Sequence, residues 1–117
     1  MSRLPGRNHD FRVEINDLHS HYDITLHLDG CDVPEATQAW YEAQVEKRAA
    51  EKEVVLSLAG RYTTPFEVLL GTFLVATSTP RTYMRLSDKE LSMLSLHGIQ
   101  PHEEPGKGYR GLSERAA

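Results

Sequence analysis

Two histidines, two positions apart and flanked by acidic residues, are the first feature of the sequence that could support chemistry. His19 and His21 lie in the run DLHSHYD, between Asp17 and Asp23. Imidazole nitrogens bind zinc and related ions, and side chains spaced i, i+2 on an extended strand share a face. His27 follows close along the chain and could add a third ligand. The pattern therefore raises the hypothesis of a metal site at His19, His21 and His27.

The same run resembles the first metal-binding motif of the PHP-type phosphoesterases, in which a strand ends in Asp-Leu-His-x-His. The Asp-Gly that often follows in that family also occurs here, at positions 29 and 30. The resemblance implies that His19 and His21 are metal ligands. It covers only residues 17–30, whereas the family's fold is a distorted barrel considerably longer than these 117 residues, with further His and Asp ligands along it. A metal-dependent hydrolase is therefore one hypothesis among several.

Alternation on both sides of DLHSHYD predicts a pair of strands. Apolar residues occupy every second position before and after the run, a period typical of half-buried strands. These residues are Phe11, Val13 and Ile15, and then Ile24, Leu26 and Leu28. On this interpretation DLHSHYD is the polar crossing of a β-hairpin, and its histidines are exposed to solvent.

The chain from Pro34 to Leu58 is predicted to form one long helix. Proline suits the first helical turn, and Gly60 suits the position just after the last one. Apolar residues recur at spacings of three, four or their sum, beside a charged flank: Ala36, Trp40, Ala43, Ala50, Val54 and Leu58. The alternative is that residues 54–58, VVLSL, form a third strand. The lack of Gly, Pro or Asn before this segment favours the helix.

Two further helices have clear start signals. Residues 64–67, TPFE, and residues 87–90, SDKE, both match the capping box, in which a hydroxyl and a carboxylate satisfy backbone amides reciprocally. The helix after the first box is apolar nearly all round, which predicts burial on most faces. The helix after the second ends at residues 97–98, His-Gly. A short strand at 83–86 could join the sheet.

These elements predict an α+β fold, in which an N-terminal β-hairpin, with a third short strand as an option, packs on three helices. The length of 117 residues fits one domain. Residues 1–10 and 100–117 are rich in Gly, Pro and charge, and bury too little apolar surface to offset the entropy of ordering. We therefore expect a flexible arm at 1–10, a single domain at 11–99 and a flexible tail at 100–117.

Composition argues against several classes of protein. The net charge is −4, where nucleic-acid binders are usually basic, and a single cysteine excludes an intrachain disulfide. The N-terminus has no run typical of a signal peptide, and no apolar stretch reaches the ~20 residues of a membrane span. No Gly-x-Ser-x-Gly elbow or P-loop occurs. We therefore expect a cytoplasmic, non-enzymatic protein without a cofactor, of a size that would suit a phage or another mobile element.

One segment raises a DNA-binding alternative. Residues 87–104 contain Glu-Leu-x-x-Leu followed by Gly-Ile, which looks like the first helix and turn of a helix-turn-helix. The second helix would have to begin near Pro101, where Pro105 and two glycines interrupt it within about a turn. A DNA-associated regulator is therefore an alternative hypothesis.

Surplus hydrophobicity gives the leading hypothesis. The helix after residue 65 has more apolar surface than one hairpin and two helices would cover, and Trp and Tyr are common interface anchors. The candidate interface residues are Trp40, Tyr41, Phe66, Leu70, Phe73 and Leu74. We therefore predict a small regulatory protein, an adaptor or inhibitor, that binds another protein or a second copy of itself. Neither nucleic acid nor a membrane is expected as a partner.

Overall fold

The computed structural model describes residues 11–28, 35–60 and 66–112, and these form a small α+β fold with a six-stranded mixed sheet and three helices. The strands are β1 (Phe11–Asp17), β2 (His21–Leu28), β3 (Glu53–Gly60), β4 (Thr82–Met84), β5 (Pro101–Glu104) and β6 (Gly108–Leu112). The helices are α1 (Glu35–Ala49), α2 (Phe66–Ser78) and α3 (Asp88–Leu96). The α+β class is confirmed, but the sheet is larger than the predicted hairpin.

The sheet has the strand order β1-β2-β3-β4-β6-β5. Strands β2, β3 and β4 are parallel neighbours, joined through α1 and α2, while β1 and β6 run antiparallel to their neighbours β2 and β4. Parallel neighbours require a crossover, and helices supply it here. The centre of the molecule is thus a β-α-β-α-β unit with an antiparallel hairpin at each side.

The hairpin β1–β2 agrees with its prediction. Val13 pairs with Leu26, and Ile15 pairs with Ile24, so the alternating apolar residues lie on one face. The turn between the strands occupies residues 18–20, and the amide of Leu18 donates to the carbonyl of His21. The predicted crossing is thus confirmed for residues 18–20, but His21 belongs to β2 and its Nε2 is buried rather than exposed to solvent.

The predicted long helix from residue 34 to residue 58 is wrong. Helix α1 ends at Ala49, and residues 53–60 form β3, as the alternative interpretation of VVLSL had it. The turn between them is held by side chains of the first hairpin: the Lys52 ammonium binds the Asp17 carboxylate at 2.7 Å, and the Tyr22 hydroxyl donates to Glu51 at 2.6 Å. These contacts, rather than Gly or Pro, stabilise the change from helix to strand.

The three helices contribute to one apolar cluster on one face of the sheet. Two successive parallel crossovers in the same direction place their helices on the same side. The buried members are Ile24, Leu26, Leu28, Val54, Leu56 and Met84 from the strands and Tyr41, Val45, Ala49, Val68, Leu69, Phe73, Val75, Ala76 and Leu94 from the helices. The opposite face of β1 to β4 carries mostly polar side chains, and we call it the polar face.

The capping signals have mixed outcomes. At α3, the hydroxyl of Ser87 accepts from the amide of Glu90, and the Glu90 carboxylate accepts from the amide of Ser87, as the capping box predicted. The box at residues 64–67 lies partly outside the described residues, although α2 begins at Phe66 as expected. Helix α3 ends before Gly98, whose φ of 78° requires the left-handed conformation that glycine adopts freely.

The predicted flexible tail is wrong for residues 101–112. These residues form β5 and β6, and β6 pairs with β4. The prediction failed because it counted apolar residues, whereas polar hydrogen bonds and a close backbone contact hold this hairpin, as described below. The predicted arm at residues 1–10 lies outside the described residues, as does the end of the tail at residues 113–117.

Candidate functional site

A groove of about 580 Å³ lies on the polar face of the sheet, between the β1–β2 turn and the β5–β6 hairpin. Its volume falls in the range of ~300–1,000 Å³ that is typical of ligand sites. Six of the lining residues carry its chemistry: His21, Glu53, Val55, Arg85, Lys107 and Tyr109. We call this feature the groove.

The base of the groove is a buried part of β3. Val55 is 6% exposed but lies outside the cluster that packs against the helices, because the alternation of the strand turns it to the polar face. Its strand neighbours Val54 and Leu56 are fully buried on the helical side. A central parallel strand buried on both faces is thus what gives the groove an apolar base.

The Arg85 guanidinium lies at one side of the groove in a fixed position. Its Nη1 donates to Asp23 Oδ1 at 3.0 Å and to Ser57 Oγ at 3.1 Å, and its backbone amide donates to the carbonyl of Leu56 at 2.8 Å. The side chain is still 51% exposed. Since guanidinium has five N–H donors, one edge can hold the sheet while the other meets a ligand.

An ion pair crosses from the sheet to the β5–β6 hairpin. Lys107 Nζ donates to Glu53 Oε2 at 2.8 Å, and the ammonium lies 5.4 Å from the centroid of the Tyr83 ring. The hydrogen bond to Glu53 is the main reason that the pKa of Lys107 is raised. The lysine therefore stays protonated at neutral pH and acts as a hydrogen-bond donor.

A glycine brings the hairpin against the sheet. Gly108 has a φ of 133°, and a Cβ at this position would lie 2.8 Å from the carbonyl oxygen of Met84. Only glycine allows two backbones to approach this closely in this conformation. The neighbours Lys107 and Tyr109 are thereby positioned at the groove.

An arginine fixes the same hairpin to the end of α2. Arg110 Nε donates to the carbonyls of Ala76 and Thr82, and Nη2 donates to those of Thr77 and Thr79, at 3.0–3.3 Å. The last carbonyls of a helix lack intrahelical partners. The carbonyl of Ala76 would normally accept from the residue four positions on, but that residue is Pro80, which has no N–H.

The wall at the β1–β2 turn contains a polar atom without a partner. The Nδ1 of His21 is 2.9 Å from the Oγ of Ser20, whereas its Nε2 is buried and has no hydrogen-bond partner among the described residues. Buried polar atoms of native proteins are nearly always hydrogen-bonded, so an exception needs an explanation.

Burial also affects the tyrosine of the groove. The pKa of Tyr109 is raised, mainly by burial and secondarily by the negative charges of Glu103 and Asp88. Its phenol therefore stays neutral. The residue lines the groove while also packing against the apolar core, and together with the protonated Lys107 it offers hydrogen-bond donors rather than a nucleophile.

The histidines proposed as metal ligands occupy different surroundings. His19 lies in the exposed β1–β2 turn, His21 lines the groove, and the Nε2 of His27 contacts Glu14 Oε1 at 2.8 Å. A hydrogen bond from Asn16, and after it the contact with His27, lower the pKa of Glu14. Over the described ranges, no three His, Cys, Asp or Glu side chains form a group that could hold a metal ion.

The predicted interface residues divide between core and surface. Tyr41 and Phe73 are each 1% exposed and belong to the core, so the monomer already covers them. Phe66 stacks on His97 with the ring centroids 3.7 Å apart, and Leu70 is half-buried. Trp40 and Leu74 remain at the surface, 49% and 52% exposed.

The helix-turn-helix pattern does not continue as that motif would. Helix α3 is followed by β5 at residues 101–104, so the position of the second helix is occupied by a strand. The pattern at residues 87–98 is explained by a capped helix with a glycine at its end.

Sequence reasoning missed Arg85, Lys107, Glu53 and Tyr109 as groove residues. Residues 106–111, GKGYRG, did give a signal, because alternating glycines beside a base and an aromatic residue suit a turn and a closely approaching strand. The composition of residues 106–111 does not indicate that this segment pairs with β4.

No protein-family model matches the chain, and no curated protein or solved structure matches it significantly. Within the three described ranges, no helix is both long enough and apolar enough to cross a membrane. A functional assignment therefore has to come from the chemistry of the groove and of the exposed side chains.

Proposed function

We propose that this chain is a small, non-enzymatic regulatory protein that acts by binding another protein. The observation that carries the proposal is the groove, a preformed depression whose base is apolar and whose two cationic side chains, Arg85 and Lys107, are held by ion pairs. Such a surface can recognise a partner without first reorganising itself, which lowers the entropic cost of association.

The chemistry of the groove favours recognition over catalysis. A general acid or base works best when its pKa lies near the operating pH. The pKa of Lys107 is raised by Glu53 and that of Tyr109 by burial, so both shifts lead away from neutrality. The two side chains are suited to donating hydrogen bonds to a bound group.

The exposed apolar side chains of the helical layer offer a second surface for the same partner or for another copy of the chain. Trp40 of α1 and Leu74 of α2 are about half exposed, and tryptophan is among the residues most enriched at interface hot spots. A homodimer through this surface is the alternative to a separate protein partner. Sedimentation at several concentrations separates the two, since a homodimer must dissociate on dilution.

Affinity capture from the native host, followed by mass spectrometry, tests the proposed function. We expect a protein partner with the unmodified chain, reduced recovery with R85Q or W40A, and unchanged recovery with R12Q. Arg12 is an exposed arginine on β1 that does not line the groove. Recovery of nucleic acid alone, or equal recovery with all variants, would contradict the proposal.

A further inference from the structure

Resting on the proposed function, we infer that the groove binds an extended segment of the partner that carries a carboxylate next to an apolar side chain. The carboxylate would bind the Arg85 guanidinium. The neighbouring apolar side chain would lie over Val55, at the base of the groove.

The donors of Arg85 support the carboxylate. Its Nη1 is engaged by Asp23 and Ser57, whereas Nε and Nη2 make no hydrogen bond within the described residues. Nε and one N–H of Nη2 form the edge that binds a carboxylate with two parallel hydrogen bonds. Because Nη1 is anchored, the guanidinium loses little freedom when its other edge is occupied.

Lys107 also favours an acidic group in the bound segment. The contact with Glu53 uses one of its three N–H donors, so two remain for an incoming acceptor. Glu103 also lines the groove, and its carboxylate would accept a backbone N–H of the bound segment. The groove thus has donors for an acidic side chain and an acceptor for the backbone beside it.

The apolar surface and the histidine support an occupant with more than a charge. Val55 forms the apolar base of the groove, and Leu86 and Tyr109, which also pack against the core cluster, line its side. A small inorganic anion would leave the apolar base uncovered. The Nε2 of His21 is buried in the wall without a partner among the described residues. A polar group of the bound segment that reaches this wall would give the nitrogen its missing hydrogen bond.

Titration of the ¹⁵N-labelled full chain with two blocked peptides tests the inference. The probes are Ac-Ala-Leu-Glu-Leu-Ala-NH₂ and its Gln counterpart, which differ only in the carboxylate. We expect amide shifts concentrated at the groove, at Val55, Arg85, Leu86 and Tyr109, and binding about fivefold tighter for the Glu peptide, in keeping with a charge-assisted hydrogen bond.

Variants separate the role of Arg85 from general charge. R85Q is expected to remove the preference for Glu over Gln, R85K to keep part of it, and R12Q to leave it unchanged. An unchanged amide spectrum outside the groove confirms that each variant is folded, and K107Q provides a second change at the other cationic side chain of the groove.

Two outcomes would overturn the inference: equal binding of the Glu and Gln peptides, or no shift at the groove with either peptide at millimolar concentration. These failures are distinct from failure of the proposed function. A captured partner that is retained by R85Q and lost by W40A would leave protein binding standing and contradict the groove as its site.

Discussion

The two hairpins of the sheet are held in different ways. The hairpin β1–β2 pairs along seven residues and places alternating apolar side chains in the core. The hairpin β5–β6 reaches the sheet through a single paired position, Met84 with Tyr109, beside a glycine and an arginine. One hairpin is held by the burial of the apolar residues of its own two strands. The other is held mainly by polar contacts to α2 and β4, with Tyr109 as its apolar contact to the core.

This difference explains where the groove lies. The groove is bounded by the turn of the first hairpin and by the second hairpin, and the Glu53–Lys107 ion pair joins the sheet to the latter. Exposed ion pairs contribute little to stability, so Lys107 is available for recognition. The apolar region supplies a rigid base, and the polar region supplies side chains that can meet a partner.

The largest effect is expected from the apolar region. L56A removes most of a fully buried side chain from the central strand. The cavity that remains is expected to lower the free energy of unfolding by about 2–5 kcal/mol. Chemical denaturation with a linear extrapolation measures it. L96A is the matched control, because Leu96 is 84% exposed, and its effect should stay within about 0.5 kcal/mol. Equal effects would contradict the described core.

A smaller and more local effect is expected from Arg110. R110A leaves four carbonyls without their charged donor, which we expect to cost about 2–3 kcal/mol. R110K keeps the charge but cannot donate to all four carbonyls. Its free energy of unfolding should therefore lie between those of the unmodified chain and R110A. Denaturation of the three proteins measures the order. A destabilisation by R110A that R110K fully restores would mean that charge alone is responsible.

The backbone contact at Gly108 gives the next effect. G108A is expected to cost about 2 kcal/mol, because alanine is strained at this φ and its Cβ meets the carbonyl of Met84. G106A is the matched control in the same turn, since Gly106 also has positive φ, 81°, but nothing lies within 4 Å of its Cβ position. Denaturation should give a lower free energy of unfolding for G108A than for G106A. The reverse order would contradict the view that the close approach of the Met84 carbonyl requires glycine at position 108.

The smallest effect should have the opposite sign. The Tyr41 hydroxyl is buried without a partner among the described residues, and burial raises its pKa. Y41F removes this unsatisfied group and is expected to raise the free energy of unfolding by about 1 kcal/mol. A thermal melt compares the two proteins. Destabilisation by Y41F would show that the hydroxyl does find a partner.

The elements that the sequence predicted are those whose signals are local. Alternation identified β1 and β2, the apolar run from Phe66 identified α2, and the Ser87 box identified α3. The boundary between α1 and β3 was missed because VVLSL satisfies both the helical stripe and a strand buried on both faces. The turn that decides between them depends on Lys52 and Tyr22, whose contacts lie about thirty residues apart in the chain.

The groove could be predicted only in fragments. The sequence identifies His21 as a candidate metal ligand. Its neighbours in space come from β3, β4 and β6, and these segments share no motif with it. The tail is predicted to be flexible because it has few apolar residues, but Gly108 and Arg110 attach it to the sheet and to α2. Their role depends on Pro80 and on the backbone of Met84, and no local pattern reports such contacts.

Amide hydrogen exchange of the unmodified chain tests most directly whether the β5–β6 hairpin is a built part of the sheet. Residues 108–112 should exchange more slowly than an unfolded peptide by orders of magnitude, and R110A should remove this protection while leaving that of β2 and β3. Exchange of residues 108–112 in the unmodified chain at the rate of an unfolded peptide would contradict the groove and the binding site proposed in it.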